Sequence, residues 1–244
     1  MSRDDEATFQ IASAGPPGTA ALLLHGYMGT PHELRPLAEA LGAAGVTARA
    51  DLLPGFGDAG RPQLRRVRAE DWLEAAKAAW LEITRDASHR TLVGFSMGGA
   101  LALALAADPE VRPDALVLLA PYWRMADPRA ALLPIAHYVM PTFQPFGRLD
   151  FTNPETRLKL AEMAPEADLD DPEVQRGFQD GMTVPTHSLY QLRRLGQRAG
   201  RARLAPQTSR VIVQGLEDPT TLPRDSRDLA RKIDAPLILS LIHI

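Results

Sequence analysis

The feature that most constrains the fold of this chain is an alternation of short apolar runs with amphipathic helical patterns. Residues 20–24 are continuously apolar, which is typical of a strand buried on both faces of a sheet. From Leu34 to Leu41 apolar residues recur at helical spacing, so one face of the predicted helix is apolar. Strands that alternate with helices indicate the α/β class, with a mostly parallel sheet flanked by helices.

The same alternation continues through most of the chain. It predicts further strands over residues 46–53, 91–93, 115–120 and 210–213, and one that opens at residue 235. It predicts helices over residues 70–85, 100–107 and 224–232. Before the first helix, Thr30 is a candidate cap, Pro31 suits the first helical position, and Glu33 stands where a capping box needs it.

The alternation stops after Pro121. Residues 124–207 predict helical fragments broken by many prolines, without a clear strand and with many aromatic and methionine side chains. A structureless loop of that length is uncommon in a compact domain. We expect a helical cap over 124–207, inserted into an α/β core formed by 1–123 and 208–244. The alternative is a set of peripheral helices whose aromatic residues pack on the sheet.

A glycine-rich turn at residues 94–99, Gly-Phe-Ser-Met-Gly-Gly, contains the pattern G-x-S-x-G. A predicted strand precedes it and a predicted helix follows it, which is the context of a nucleophile elbow. Glycines are needed there because the turn leaves no room for Cβ atoms near the serine. Ser96 is therefore the candidate nucleophile, and a chance Gly-Ser turn is the alternative.

A second turn, His25-Gly26-Tyr27, follows the first buried strand. The backbone N–H groups of Tyr27 and Met97 are the candidate oxyanion-hole donors. His25 has two interpretations, a catalytic base or a buried histidine that holds the turn. Chain order favours the second, because the base comes last in this arrangement.

With these motifs the chain resembles the α/β-hydrolase superfamily, and within it the bacterial carboxylesterases and monoacylglycerol-lipase-like serine hydrolases. The resemblance covers nearly the whole chain and rests on residues 25–31, 53–57, 71–72, 94–99 and 213–218. It departs from the family at Phe56, where many relatives carry histidine. The resemblance implies an α/β-hydrolase fold and serine chemistry.

The acid of the implied catalytic triad should follow the first sheet strand after the cap. Asp218 stands there, with Glu217 as the adjacent rival, and the resemblance favours Asp218. Its expected role is to hold the tautomer of the catalytic imidazole and to stabilise the imidazolium.

The histidine base of the implied triad is the hardest residue to assign, because His243 is the only histidine after Asp218. Relatives place this histidine in a loop after the last strand, before a final helix. Residues 239–244 also match the translated mosaic end of a transposon adapter used to prepare sequencing libraries. We expect these six residues to be adapter-derived, on a truncated gene that lacks its native base. The alternative is that His243 is a genuine C-terminal base.

The expected function is hydrolysis of short- or medium-chain carboxylic esters, or of monoglycerides, through an acyl-serine intermediate. Three alternatives share the triad, namely thioester hydrolysis, C–C hydrolysis and perhydrolysis. A non-catalytic or inactive hydrolase-fold module is a further alternative, since the catalytic histidine is expected to be missing. No cofactor or metal is expected, because no His, Cys or Asp cluster has ligand spacing.

The charge and the hydropathy of the sequence limit the classes of partner that we expect for the chain. The 244 residues carry a formal net charge of −3, so no basic field attracts nucleic acid. No apolar run approaches the ~20 residues that span a bilayer. The acidic first residues lack the apolar core of a signal peptide, so we expect a cytoplasmic protein acting on a small-molecule ester. The sequence leaves the oligomeric state open.

Overall fold

The computed structural model describes residues 7–14, 18–143, 149–163, 167–181, 183–218 and 220–241. The strands are β1 (Phe9–Ile11), β2 (Thr19–Leu24), β3 (Thr47–Ala50), β4 (His89–Phe95), β5 (Ala115–Leu119), β6 (Thr142–Phe143), β7 (Val184–Pro185), β8 (Ser209–Gly215) and β9 (Leu237–Ser240). The α-helices are α1 (Arg35–Ala43), α2 (Ala69–Ile83), α3 (Met97–Ala106), α4 (Leu133–Val139), α5 (Pro154–Met163), α6 (Pro172–Gly181), α7 (Thr186–Ala199) and α8 (Pro223–Ile233).

The main sheet has seven strands among the described residues, in the order β1-β3-β2-β4-β5-β8-β9. Strand β1 is antiparallel to β3, and the other neighbouring strands of this sheet are parallel. This confirms the predicted α/β class with a mostly parallel sheet. Because β2, β4 and β8 are parallel, their carboxyl ends lie at one edge of the sheet, where ligands bind in open α/β folds.

Two details differ from the sequence prediction. Strand β1 was not predicted, because three residues are too short to show a period. The pair β6 and β7 places two-residue strands inside segment 124–207, where no strand was predicted. These strands come from opposite halves of the segment, so a pairing between residues distant in the sequence defines them.

Helix α3 is the centre of the core. It consists of Met, Gly, Ala and Leu, and all of its residues are buried. A helix that is apolar on every side is stable only when it is surrounded by other elements. Here α3 packs on β4 on one side and on α2 and α7 on others. Because α3 begins directly after Ser96, this packing fixes the position of the serine.

The helices of segment 124–207 are buried to different degrees. Helix α7 packs its buried residues Leu192, Leu195 and Ala199 into the main core. Helix α4 instead leaves Ile135, Tyr138 and Val139 exposed by 70%, 81% and 72%. The helical cap over 124–207 therefore remains a prediction, since α7 packs as a peripheral helix would and α4 does not.

The beginning of segment 124–207 is fastened to α8. The Trp123 indole donates a hydrogen bond to the backbone oxygen of Asp225 at 3.0 Å. The Arg124 guanidinium pairs with the carboxylates of Asp225 and Asp228 at 2.5 Å each.

Among the described residues, no helix is long and apolar enough to cross a membrane.

Candidate active site

Ser96 occupies a sharp turn between β4 and α3. Its φ of 50° lies in the left-handed region, which is strained for a residue with a side chain. Its backbone N–H donates to the Leu119 carbonyl oxygen at 2.9 Å, and its backbone carbonyl oxygen accepts from the Tyr122 N–H at 3.0 Å. The turn is thus bonded to the end of β5 on both sides, and it has the local structure of a nucleophile elbow.

The glycines of this elbow are required by close backbone approach. A Cβ atom on Gly98 would overlap the carbonyl oxygen of Leu24, and one on Gly94 would overlap the carbonyl oxygen of Gly98. Backbone atoms cannot move aside as a side chain can. Glycine at position 94 therefore allows β4 to approach α3, and glycine at position 98 allows α3 to approach β2.

A second turn, residues 26–29, follows β2 at the same edge of the sheet. Gly29 N–H donates to the Gly26 oxygen at 3.2 Å, and Met28 has a φ of 63°. The Gly26 N–H donates to Glu33 Oε1 at 2.5 Å. Burial raises the pKa of Glu33, and the hydrogen bond from Gly26 opposes that rise.

The helix start predicted at Thr30 and Pro31 is confirmed, but the predicted side-chain capping hydrogen bonds are not formed. Thr30 precedes a 3₁₀ helix, Pro31–Leu34, and its side chain forms no capping hydrogen bond. The Glu33 carboxylate accepts from Gly26 instead of reaching back to Thr30. The local pattern suggested a helix start, whereas the tertiary contact uses the same carboxylate to hold the turn.

His25 holds the second turn and is not available as a base. It is 0% exposed, its Nδ1 donates to the Gly26 oxygen at 2.8 Å, and its Nε2 accepts from the Leu53 N–H at 3.1 Å. Burial lowers its pKa to about 4, and the Gly26 bond only partly opposes this. Both ring nitrogens are therefore occupied in a neutral, structural histidine.

Phe56, where many relatives carry histidine, belongs to an aromatic cluster behind the second turn. Its ring centroid lies 5.2 Å from that of His25 and 5.8 Å from that of Tyr27, both edge to face. It also lies 5.7 Å from the Trp72 ring. The phenyl ring of Phe56 therefore packs against all three of these aromatic rings.

The two candidate oxyanion donors belong to the two turns. Tyr27 follows β2 and Met97 is the first residue of α3, which follows β4, the neighbour of β2. The Tyr27 hydroxyl donates to Ser188 Oγ at 2.5 Å, and Ser188 donates to the Pro185 oxygen at 2.7 Å. This chain of hydrogen bonds fixes the Tyr27 side chain on α7, and burial raises its pKa to about 12.

Asp218, the candidate acid, lies in the loop after β8. Its Oδ1 accepts from the N–H groups of Thr220 and Thr221 at 2.8 and 3.0 Å, and its Oδ2 accepts from Thr221 Oγ1 at 2.6 Å. Burial opposes ionisation, but these hydrogen bonds, with one from Gln214, hold the pKa of Asp218 below its usual value. The rival Glu217 is exposed. Asp218 is thus an oriented, ionised carboxylate.

Sequence reasoning did not find the residues that orient Asp218. Gln214 is fully buried in β8, donates to the Thr221 oxygen at 2.9 Å, and accepts from Ser226 Oγ at 2.5 Å. Its amide also reaches Asp218 Oδ2 at 3.4 Å. The available signal was a polar residue directly after the apolar run of a buried strand.

The histidine base is not found in the described part of the chain, where no histidine hydrogen-bonds to Ser96 or Asp218. His187 donates to the Val67 oxygen at 3.2 Å, and His137 stacks on Tyr190 with ring centroids 4.3 Å apart. His243 lies outside the described residues. The structure therefore describes the candidate nucleophile, acid and backbone donors, but no base.

Comparisons with known proteins agree with this architecture. A family model described as serine aminopeptidase, S33, a hydrolase family, matches residues 15–239. A thermostable monoacylglycerol lipase from Bacillus sp. (strain H-257) is 38% identical over 103 residues. That alignment covers 42% of this chain and 39% of the lipase, less than half of the relative's length.

Solved structures share the fold over nearly the whole chain. A metagenome-derived lipolytic enzyme has a TM-score of 0.74 at 20% identity, covering 97% of this chain and 87% of its own. A monoacylglycerol lipase of Paleococcus ferrophilus has 0.67 at 16% identity, with coverages of 96% and 87%. A monoglyceride lipase of Saccharomyces cerevisiae, solved with a substrate analogue, has 0.67 at 14% identity, with coverages of 95% and 80%.

Proposed function

This chain belongs to the serine aminopeptidase S33 family of hydrolases, and on that premise we propose that it cleaves carboxylic esters through an acyl-serine intermediate. The proposed substrates are esters of short- or medium-chain acids or monoglycerides. The observation that carries the proposal is the strained elbow that presents Ser96 between β4 and α3. The stretch similar to a monoacylglycerol lipase supports the substrate class.

In the proposed reaction, Ser96 Oγ attacks the ester carbonyl carbon while its proton passes to an imidazole. The N–H groups of Tyr27 and Met97 would donate to the oxyanion, and the amino terminus of α3 adds favourable dipole charge. The imidazole then protonates the departing alcohol. Water attacks the acyl-serine, and its proton returns by the same route as the acid leaves.

Asp218 is proposed to orient this imidazole and to stabilise its charged form. Two of its hydrogen bonds come from backbone N–H groups, so its position does not depend on a flexible side chain. The imidazole itself is assigned to no described residue. His243 is the candidate that follows Asp218 in the sequence.

The proposal is tested by hydrolysis of p-nitrophenyl butyrate by the chain and by its Ser96→Ala variant. Ser88→Ala is the matched control, because Ser88 lies in an exposed turn where its hydroxyl bonds the Gly18 oxygen. We expect turnover to survive in the control and to be lost in Ser96→Ala, and a loss in kcat on the order of 10⁶-fold is expected where a histidine base acts on Ser96. A folded chain without Ser96-dependent turnover contradicts the proposal.

The variant His243→Ala tests the base separately. Turnover that needs both Ser96 and His243 assigns the base to His243 and contradicts the adapter hypothesis. Turnover that needs Ser96 but not His243 excludes His243 as the base. Circular dichroism of each variant separates lost chemistry from lost folding.

A further inference from the structure

The peptide group that carries the Tyr27 N–H is held through its oxygen. This planar group joins Gly26 to Tyr27, so the Gly26 oxygen and the Tyr27 N–H point in opposite directions. The oxygen accepts from His25 Nδ1 at 2.8 Å and from the Gly29 N–H at 3.2 Å. The Tyr27 N–H itself donates to no acceptor in the part of the chain that the structure describes. Bonds to the Gly26 oxygen therefore aim an N–H that these residues leave unbonded.

The peptide group before it is held by a different side chain. This group contains the Gly26 N–H, which donates to Glu33 Oε1 at 2.5 Å. Glycine has no Cβ atom, so its φ and ψ are restricted less than those of any other residue. Fixing one peptide group of Gly26 therefore leaves the other able to turn about the Cα atom. Glu33 supplies the second anchor that the turn needs.

The same carboxylate also packs against the far end of the turn. A Cβ atom on Gly29 would overlap Glu33 Oε2, and the three atoms nearest to that position all belong to Glu33. Gly29 is the residue whose N–H donates to the Gly26 oxygen. Glu33 therefore contacts both ends of the turn, and Tyr27 lies between them in the sequence.

The position of Glu33 is fixed from outside the turn. Its N–H donates to the Thr30 oxygen at 3.3 Å, and the next residue, Leu34, is buried in an apolar cluster with residues of β2. The Tyr27 ring has a separate anchor, because its hydroxyl bonds Ser188 on α7. The backbone and the side chain of Tyr27 are therefore held by different contacts, so a change at Glu33 should leave the ring in place.

We infer that Glu33 is a positioning residue for the proposed hydrolysis, whose carboxylate holds the turn so that the Tyr27 N–H donates to the oxyanion. The inference rests on the proposed function, and Glu33 acts in it through the backbone of Gly26 and Gly29. The full charge on the substrate oxygen develops only as the transition state forms. Loss of Glu33 should therefore lower kcat and leave KM nearly unchanged.

The first test compares Glu33→Ala with Glu39→Ala in the hydrolysis of p-nitrophenyl butyrate. Removal of a whole oxyanion donor costs about 10²- to 10³-fold in kcat, and a donor that is only misdirected should cost less. We expect Glu33→Ala to lower kcat at least about tenfold, with KM within about twofold. Glu39 is the matched control, since it is exposed on α1, and Glu39→Ala should leave both constants unchanged. A folded Glu33→Ala variant with unaltered kcat overturns the inference.

Two conservative variants separate the hydrogen bond from the charge. Glu33→Gln keeps the length of the side chain and an oxygen that accepts from Gly26, so kcat should stay within about threefold. Glu33→Asp keeps the charge but is one methylene shorter, so it should resemble Glu33→Ala. A kcat that follows the charge, with Glu33→Asp active and Glu33→Gln impaired, overturns the inference. This comparison also decides if Glu33→Ala does not fold.

A double-mutant cycle tests the contact between Glu33 and Gly29. Gly29→Ala should displace the carboxylate and lower kcat, because its Cβ atom would overlap the carboxylate oxygens. In the Glu33→Ala background that overlap is absent, so the second substitution should change kcat by less than about twofold. Losses that multiply as independent effects do, or no effect of Gly29→Ala on the unaltered chain, overturn the inference.

Nuclear magnetic resonance reads the Tyr27 N–H without any turnover. The chain has four tyrosines, so the ¹⁵N-tyrosine-labelled chain gives four backbone signals, and Tyr27→Phe identifies the one from Tyr27. Glu33→Ala should move this signal, and Glu33→Gln should return it toward its original position. Glu39→Ala should leave it in place. A Tyr27 signal that Glu33→Ala does not move overturns the inference.

Failure of this inference differs from failure of the proposed function. A folded chain without Ser96-dependent turnover contradicts the proposed function, and the Tyr27 signal then decides whether Glu33 holds the turn. Ser96-dependent turnover whose kcat is unaltered in Glu33→Ala keeps the proposed function and overturns only the role of Glu33.

Discussion

The two turns at the carboxyl edge of the sheet are held in place by different means. The elbow at residues 94–99 depends on the absence of side chains, because backbone atoms lie so close to Gly94 and Gly98 that neither position has room for a Cβ atom. The turn at residues 26–29 depends on side chains that are present, with Glu33 and His25 bonded to Gly26. Within the part of the chain that the structure describes, no titrating side chain hydrogen-bonds to the backbone of the first turn, whereas two hydrogen-bond to that of the second. We expect the elbow to tolerate no side chain at Gly94 or Gly98 and the stability of the second turn to respond to pH.

The largest expected effect is at the elbow. Gly98→Ala should lower the free energy of unfolding by about 4 kcal/mol or more, because its Cβ overlaps the backbone oxygen of Leu24. Urea denaturation measures the change. The matched control is Gly177→Ala in α6, where nothing lies within 4 Å, and which should stabilise by about 1 kcal/mol. Similar stabilities of the two variants would contradict backbone exclusion as the basis of the elbow.

The next effect is a pH dependence at the second turn. The folded pKa of His25 is lowered to about 4 from 6.5. As pH falls through this window, the unfolded chain takes up the proton first, so the folded state loses about 3 kcal/mol. Urea denaturation between pH 7 and pH 4 should show this loss, and His25→Gln should flatten it. His89→Gln, at an exposed position, should not, and the same slope in all three chains would falsify the assignment.

Glu33 should have a smaller effect than His25. Glu33→Ala leaves the Gly26 N–H without its acceptor and should cost about 2 kcal/mol of unfolding free energy at pH 7. Glu33→Gln keeps an acceptor oxygen and should cost about half as much. The ratio of the two losses measures how much the turn depends on the hydrogen bond itself. Equal losses would mean that the charge, not the acceptor, holds the turn.

The smallest effect concerns the contact of the second turn with α7. Tyr27→Phe removes the hydrogen bond to Ser188 and should lower the unfolding free energy by about 1 kcal/mol. Tyr138→Phe is the control, because Tyr138 is exposed and should show no change. A loss of equal size in both variants would place the effect outside this contact.

The same contrast explains how much of the molecule the sequence could predict. The elbow was predicted because its determinants are adjacent, with a strand, a glycine-serine turn and a helix in sequence order. Strands β2 and β4 were predicted because each contains a run of buried apolar residues, and such runs indicate burial directly. Strand β1 was missed because it is defined by its pairing with β3.

At the candidate site, what remained unpredicted depends on contacts between distant residues. Glu33 fits a capping pattern, and only the fold shows that it accepts from Gly26 instead. Gln214 and Thr221 surround Asp218 through hydrogen bonds that no local pattern encodes. Ser188 meets the Tyr27 hydroxyl from a helix far along the chain.

The fastening of Trp123 and Arg124 to α8 has a mechanical consequence. Tyr122 follows β5 and donates its N–H to the backbone oxygen of Ser96, and the next two residues are bonded to α8, so segment 124–207 begins at a fixed end. This fastening therefore ties the start of this segment to α8 and, through Tyr122, to the backbone of the turn that holds Ser96.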